Sequence, residues 1–375
     1  MSNSLNTSAI QDAMEASGLN AANLAKKIGV SRESVSKWLK GESYPRPDKL
    51  LKLALTLQLK REQIVQPAHP TIEPVIAFRK RGSTKTTERH KRNAREMGYL
   101  LKPLVEYLPF DQLIGPATLK QPKLDYEYLQ NLAKEIRQEM GVGVKEEMTY
   151  RHLIKRFQDM QTVLIPVLWG VKDRHENALH IFLPDSKTTW IYLNLDSEAH
   201  DFKFWMAHEL GHVLAPDLRD DEGEDFADAF AGVLLFPENL AKETYEYVHE
   251  THNLGAQMNR IKDTAEQYTI SPITVYAEIN QYAKHNGLPP INLEKSIYGA
   301  ANNLNKLYMT ISETLFDGEN PPAHQYIELC KREFDSPFFD ALKSYLIEHD
   351  KSASYLQSIL DIPYTDAKAI HTELV

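Results

Sequence analysis

The first sixty-five residues carry apolar side chains at helical intervals. Leu24, Ile28, Val30, Val35, Trp38 and Leu39 recur in a way that predicts a run of short helices. Gly29 interrupts the run directly after Ile28, where a left-handed helix end favours glycine. Ser31 is placed to cap the next helix, which extends to Lys40 and ends at Gly41. Pro45 and Pro47 then mark a loop before a third apolar helix. Two short helices joined by a tight glycine turn, the second polar on one side, form a helix-turn-helix pattern.

Beyond residue 66 the apolar period fades. Pro67, Pro70 and Pro74 precede Arg79, Lys80, Arg81, Lys85, Arg89, Lys91, Arg92 and Arg95. This predicts a linker that becomes a basic helix over 86–108. Such a face either lies along phosphates and adds salt-dependent affinity, or is simply solvated. Amphipathic helices follow over 124–160, then a short β-rich run over 163–171. The runs 178–184 and 189–195 flank a polar tetrapeptide and predict a hairpin. A helix over 201–215, an acidic stretch over 217–225, and a helix from about Glu224 to Pro237 come next. The remainder, 238–375, reads as helical, with breaks at 287–290, 318–322 and Pro363.

The expected fold is therefore multidomain and mainly α. A helix-turn-helix bundle occupies 1–66 and a basic linker and helix 67–123. An α+β domain with a small β-sheet occupies 124–289, and a helical C-terminal region 290–375. Composition adjusts this picture little. The 375 residues are 42% hydrophobic and 25% charged, so the chain can bury sizeable cores. The net charge of -9 argues against a surface that coats nucleic acid as a whole. Residues 1–66 nevertheless hold ten Lys and Arg against six Asp and Glu. The single cysteine, Cys330, leaves no intramolecular disulfide and no cysteine-rich metal site. No signal peptide or membrane-length apolar run is evident, and a cytoplasmic protein with no membrane partner is expected.

The segment from Leu24 to Leu57 resembles the XRE-type helix-turn-helix family. The resemblance implies that the second helix enters the major groove of a double-stranded DNA operator. Carried over by position, Arg32, Glu33 and Lys37 would face base edges, with Ser31 and Ser36 near the groove or backbone. Arg and Lys can pair guanine, and Glu can accept from a cytosine amino group. The competing expectation is a helical bundle with a solvated charged face, or one used only for dimerisation.

The chemistry-bearing motif is His208-Glu209-Leu210-Gly211-His212. One helical turn brings the two imidazoles to one face, where they could share a single Zn2+ ion. Glu209, offset by about 100°, could accept a proton from water and return it to a leaving amine. Gly211 allows another segment to approach. A third ligand is needed. Glu224 is favoured because it shares a helix face with Asp228, while Phe226, Phe230 and Leu234 point elsewhere; Glu222 and Asp225 are rivals. Asp228 could accept the far ring N–H of a ligand histidine and fix its tautomer. A five-residue motif also arises by chance, and its weight comes from the hairpin before it and the carboxylate-bearing helix after it. Tyr192, His200 and Tyr268 are candidates for steadying an oxyanion by sequence proximity alone.

Residues 190–237 resemble the ImmA/IrrE family of zinc metallopeptidases. The features are the hairpin strand, the motif helix, and the run Glu224-Asp225-Phe226-Ala227-Asp228-Ala229-Phe230-Ala231 ending at Pro237. The resemblance implies a zincin-like domain with His208, His212 and Glu224 as ligands of one zinc ion and Glu209 as base. Residues 269–279 resemble the helical end of such domains. Asp228 stands where Asn is usual and Phe236 where Met is usual, the former adding negative charge beside the centre. The two resemblances together imply a homodimeric transcriptional regulator, an antitoxin or prophage-type repressor. Its endopeptidase would cleave a protein partner such as a cognate toxin or repressor. A metal site that is structural or sensory, without proteolysis, is the alternative.

Overall fold

The computed structural model describes residues 3–40, 45–67, 73–77, 88–110, 117–170, 178–218, 220–316 and 321–375. The chain forms two compact units, Met1–Ile72 and Glu73–Val375.

In the N-terminal unit, β1 (Asn3–Leu5) is followed by α1 (Thr7–Ala16), α2 (Ala21–Ile28), α3 (Arg32–Leu39), α4 (Pro47–Leu57), α5 (Arg61–Ile64) and β2 (Val65–Pro67). β1 and β2 pair antiparallel, with Leu5 opposite Val65, so the two ends of the unit close on each other. Ile10, Leu24, Ile28, Val35, Leu53 and Ile64 form its core. Gly29 ends α2 in the left-handed conformation, φ 75° and ψ 51°, a backbone that costs a residue with a Cβ. Lys49 from α4 donates to the Gly29 carbonyl at 3.3 Å, fixing the turn between α2 and α3. Ser31 caps α3 by accepting from Ser34 N–H at 3.0 Å. Gly41, the expected end of that helix, lies outside the described residues, as do Arg79, Lys80, Arg81, Lys85 and Gly318.

The C-terminal unit is built around a four-stranded sheet of β3 (Val75–Ala77), β4 (Val163–Val167), β5 (Ala178–Leu183) and β6 (Thr188–Asn194), in the order β3-β5-β6-β4. β5 and β6 make the hairpin, β4 runs parallel to β6, and β3 adds antiparallel to β5. All seven residues of β6 are buried. α6 (Glu88–Leu101) packs on one sheet face: a Cβ on Gly98 would lie 3.2 Å from Ile181 of β5. Its apolar side, Ala94, Met97 and Leu101, is buried, while Arg92 and Arg95 are exposed. The α-helix expected to continue to 108 stops at Leu101. A 3-10 turn, Lys102–Tyr107, follows because Pro103 cannot extend the α ladder.

α7 (Tyr126–Glu139) and α8 (Tyr150–Asp159) precede the sheet's main strands. α9 (Ala199–Leu214) and α10 (Asp220–Leu235) follow them. α9 is buried nearly all round, which explains its lack of a polar face. α10 begins one turn before the expected start at Glu224. Asp221 and Glu222 occupy its first turn, where the helix dipole favours negative charge. α9 and α10 meet at Gly211. A Cβ there would lie 2.9 Å from Ala227 Cα and 3.3 Å from Phe230 Cδ1. Arg137 of α7, buried, donates to Leu234 O at 2.7 Å and Gly143 O at 2.6 Å, so it closes the carbonyl end of α10. Burial pushes its guanidinium down to about 10.

Among the described residues nine further helices follow: α11 (Glu238–His249), α12 (Leu254–Gln267), α13 (Pro272–His285), α14 (Glu294–Asn305), α15 (Ile311–Leu315), α16 (Ala323–Phe334), α17 (Phe338–Glu348), α18 (Ala353–Leu360) and α19 (Tyr364–Leu374). The sequence suggested that 290–375 stands apart. Instead it shares one continuous core with the sheet. The reason is polar as well as apolar. Tyr192 of β6 donates to Ile359 O at 2.7 Å, Trp169 to Leu360 O at 2.8 Å, and Tyr326 to Pro166 O. Buried donors need acceptors, and the C-terminal helices supply or receive these. Among the described residues no helix is long and apolar enough to cross a membrane.

Two stability outcomes follow from these contacts. Gly211→Ala forces backbone apart at the α9–α10 crossing and should destabilise the C-terminal unit by about 1–3 kcal/mol in denaturant unfolding. Ser31→Ala removes the α3 cap and should destabilise the N-terminal unit by about 1 kcal/mol, read from the full-length protein by amide hydrogen exchange in α3.

Candidate functional site

Because α9 is helical across 208–212, His208 and His212 lie one turn apart on one side. Their Nε2 atoms are 3.0 Å apart. The α10 crossing at Gly211 brings Glu224 to the same point: Oε1 is 3.3 Å from His212 Nε2 and Oε2 is 3.6 Å from His208 Nε2. One donor atom from each of the three residues lies within 4.8 Å of the others. Asp228, one turn along α10, accepts from His208 Nδ1 at 2.8 Å. That bond places the His208 proton on Nδ1 and leaves the Nε2 lone pair facing His212 and Glu224. The rivals for third position do not join the group. Glu222 and Asp225 are exposed and lie off the Glu224–Asp228 face.

Glu209 is 1% exposed, His208 0%, His212 7% and Glu224 14%, so the whole group is withdrawn from solvent. Burial lowers the His208 pKa even though Asp228 opposes it. For His212 burial also opposes charge. The bond to Glu224 and the charges of Glu209, Glu224 and Asp228 together outweigh it and raise the pKa. Three electron-rich atoms this close repel one another unless a cation, a proton or a metal ion, lies among them. Glu224 Oε2 is a buried acceptor without a hydrogen-bond partner among the described residues. The donor set of two imidazoles and a carboxylate, with one tautomer already fixed, fits a divalent metal such as zinc.

The three oxyanion candidates are placed elsewhere. Tyr192 is fully buried with its hydroxyl bonded to Ile359 O. His200 lies eight residues before His208 on α9, about 12 Å along the axis, with its ring against Tyr308. Tyr268 ends α12 and turns its hydroxyl to Lys145 O at 3.4 Å. Sequence proximity failed because each is tied to a packing partner distant in the chain. A residue that does lie beside the group is His180. On β5, side chains alternate between faces: Ile181 turns to α6, so His180 turns to α9. Its ring lies 6.3 Å from that of His212, within 9° of parallel. Its only sequence signal is a histidine inside an apolar strand.

In the N-terminal unit, Ser31, Arg32, Glu33 and Lys37 are exposed and Ser36 is half-buried, while Val35 and Trp38 point into the core. The named side chains thus lie on the outward side of α3. Lys37 and Glu33 pair at 3.0 Å across one helical turn, and the bond to Lys37 lowers the Glu33 pKa.

Residues 10–64 match the helix-turn-helix family HTH_3. Among solved structures, PlcR of Bacillus thuringiensis in complex with the peptide PapR7 and DNA is 11% identical. The match covers 82% of this chain and 94% of that one, but its TM-score of 0.14 gives it no weight. No curated protein matches. Over residues 10–64 the chain carries a helix-turn-helix domain of the XRE type.

Proposed function

We propose that the chain is a DNA-binding regulator that also carries a zinc-dependent endopeptidase centre of narrow specificity, of the ImmA/IrrE kind that residues 190–237 resemble. It would bind its operator as a homodimer, since helix-turn-helix readers commonly engage two half-sites one helical turn apart. The protein acted upon would be a partner such as a cognate toxin or repressor, consistent with an antitoxin or prophage-type repressor. The observation that carries this reading is the convergence of His208, His212 and Glu224, with Glu209 on the same helix and Asp228 behind His208.

When bound, zinc would polarise a peptide carbonyl and make water more acidic. His208, His212 and Glu224 would hold it. Asp228 keeps His208 in the tautomer that ligation requires. Glu209, buried beside them, would take a proton from water and pass it to the departing amine nitrogen. Its burial keeps competing water away and strengthens the electrostatics of that transfer.

The same burial favours a second reading, in which the metal is structural or sensory and no peptide is cut, since a catalytic ion needs an open position. Glu209→Gln separates the two. Purified wild-type and Glu209→Gln protein should each retain one zinc per chain by elemental analysis, and His208→Ala should lose it. Only the wild type should cleave a co-expressed partner. Equal behaviour of wild type and Glu209→Gln in cleavage would leave the sensory reading standing.

On the DNA side, Arg32→Ala should weaken operator binding by about 1–3 kcal/mol and relax discrimination at one base pair. Unchanged affinity would leave the helix-turn-helix with a dimerisation role.

A further inference from the structure

We infer that His180 is a further polar group of the centre, hydrogen-bonding the oxygen of a water or peptide carbonyl held beside His212 rather than binding the cation itself. This rests on the metal reading above. Strand alternation and the near-parallel ring of His212 put His180 at the edge of the group. Its nitrogens do not fall within the cluster that His208, His212 and Glu224 form, so it borders the centre without completing the ligand set.

His180 Nε2 is buried and has no hydrogen-bond partner among the described residues. Leaving such an atom unpaired is unfavourable, and a phenylalanine would fill the same space without that penalty. An imidazole here is therefore explained by a polar atom that arrives with a ligand. Burial disfavours a charge on its ring, so it meets that ligand as a neutral imidazole able to donate from one nitrogen. A neutral donor in a water-poor site strengthens as negative charge builds on the facing oxygen.

The test uses full-length protein loaded with Co(II), whose visible spectrum reports ligation, followed by titration with acetohydroxamate as an oxygen-donor probe. His180→Phe should bind Co(II) with wild-type affinity, match or exceed the wild-type thermal midpoint, and bind acetohydroxamate about tenfold more weakly. His180→Gln should recover most of that loss. His180→Leu carries the same expectation as His180→Phe without the larger ring. Wild-type acetohydroxamate affinity in both His180→Phe and His180→Leu would overturn the inference. So would loss of Co(II) binding in those variants, because His180 would then be a ligand. A wild type that takes up no Co(II) would instead sink the metal reading, and this inference with it.

Discussion

The close approach of α9 and α10 at Gly211 governs everything in the candidate site. With 2.9 Å between a notional Cβ and the Ala227 backbone, only glycine allows the two helices to touch at this depth. The distance matters because a carboxylate must reach two imidazoles that sit on the other helix. Moving α10 outward by the width of a methyl group would carry Glu224 and Asp228 with it. One residue without a side chain therefore sets a four-residue geometry.

The rest of the unit holds that crossing in place. Arg137 fastens the far end of α10 to the loop at Gly143 by taking up the Leu234 carbonyl, one of those a helix terminus leaves bare. The sheet supports α9 from one side and α6 from the other, so β5 divides its side chains between a packing face and a chemical one. Such a scaffold suits a site in which His208, Glu209 and His212 are almost wholly buried, because they cannot relax towards solvent.

Much of this was legible in the sequence. The glycine turn after Ile28, the serine cap at Ser31 and the hairpin before α9 are local features with local causes. So is the pairing of two histidines by helical periodicity. Glu224 and its facing partner Asp228 were legible because one helix face is computable from spacing. What escaped was non-local. Nothing in the spacing of 290–375 says that its helices receive hydrogen bonds from Tyr192 and Trp169. His180 is separated from His212 by a hairpin and a loop, and strand alternation shows which residues share a face but not what that face meets.

The bonds that Tyr192 of β6 and Trp169, just past β4, make to α18 have a bearing on how the protein is made. The N-terminal unit has its own core and is complete once β2 has left the ribosome. Tyr192 and Trp169 in the second unit do not gain their acceptors until Ile359 and Leu360 have emerged, close to 300 residues later. At about 5–20 residues per second that is an interval of roughly 15–60 seconds. During translation the helix-turn-helix domain therefore precedes, by that interval, the closing of the second unit's core.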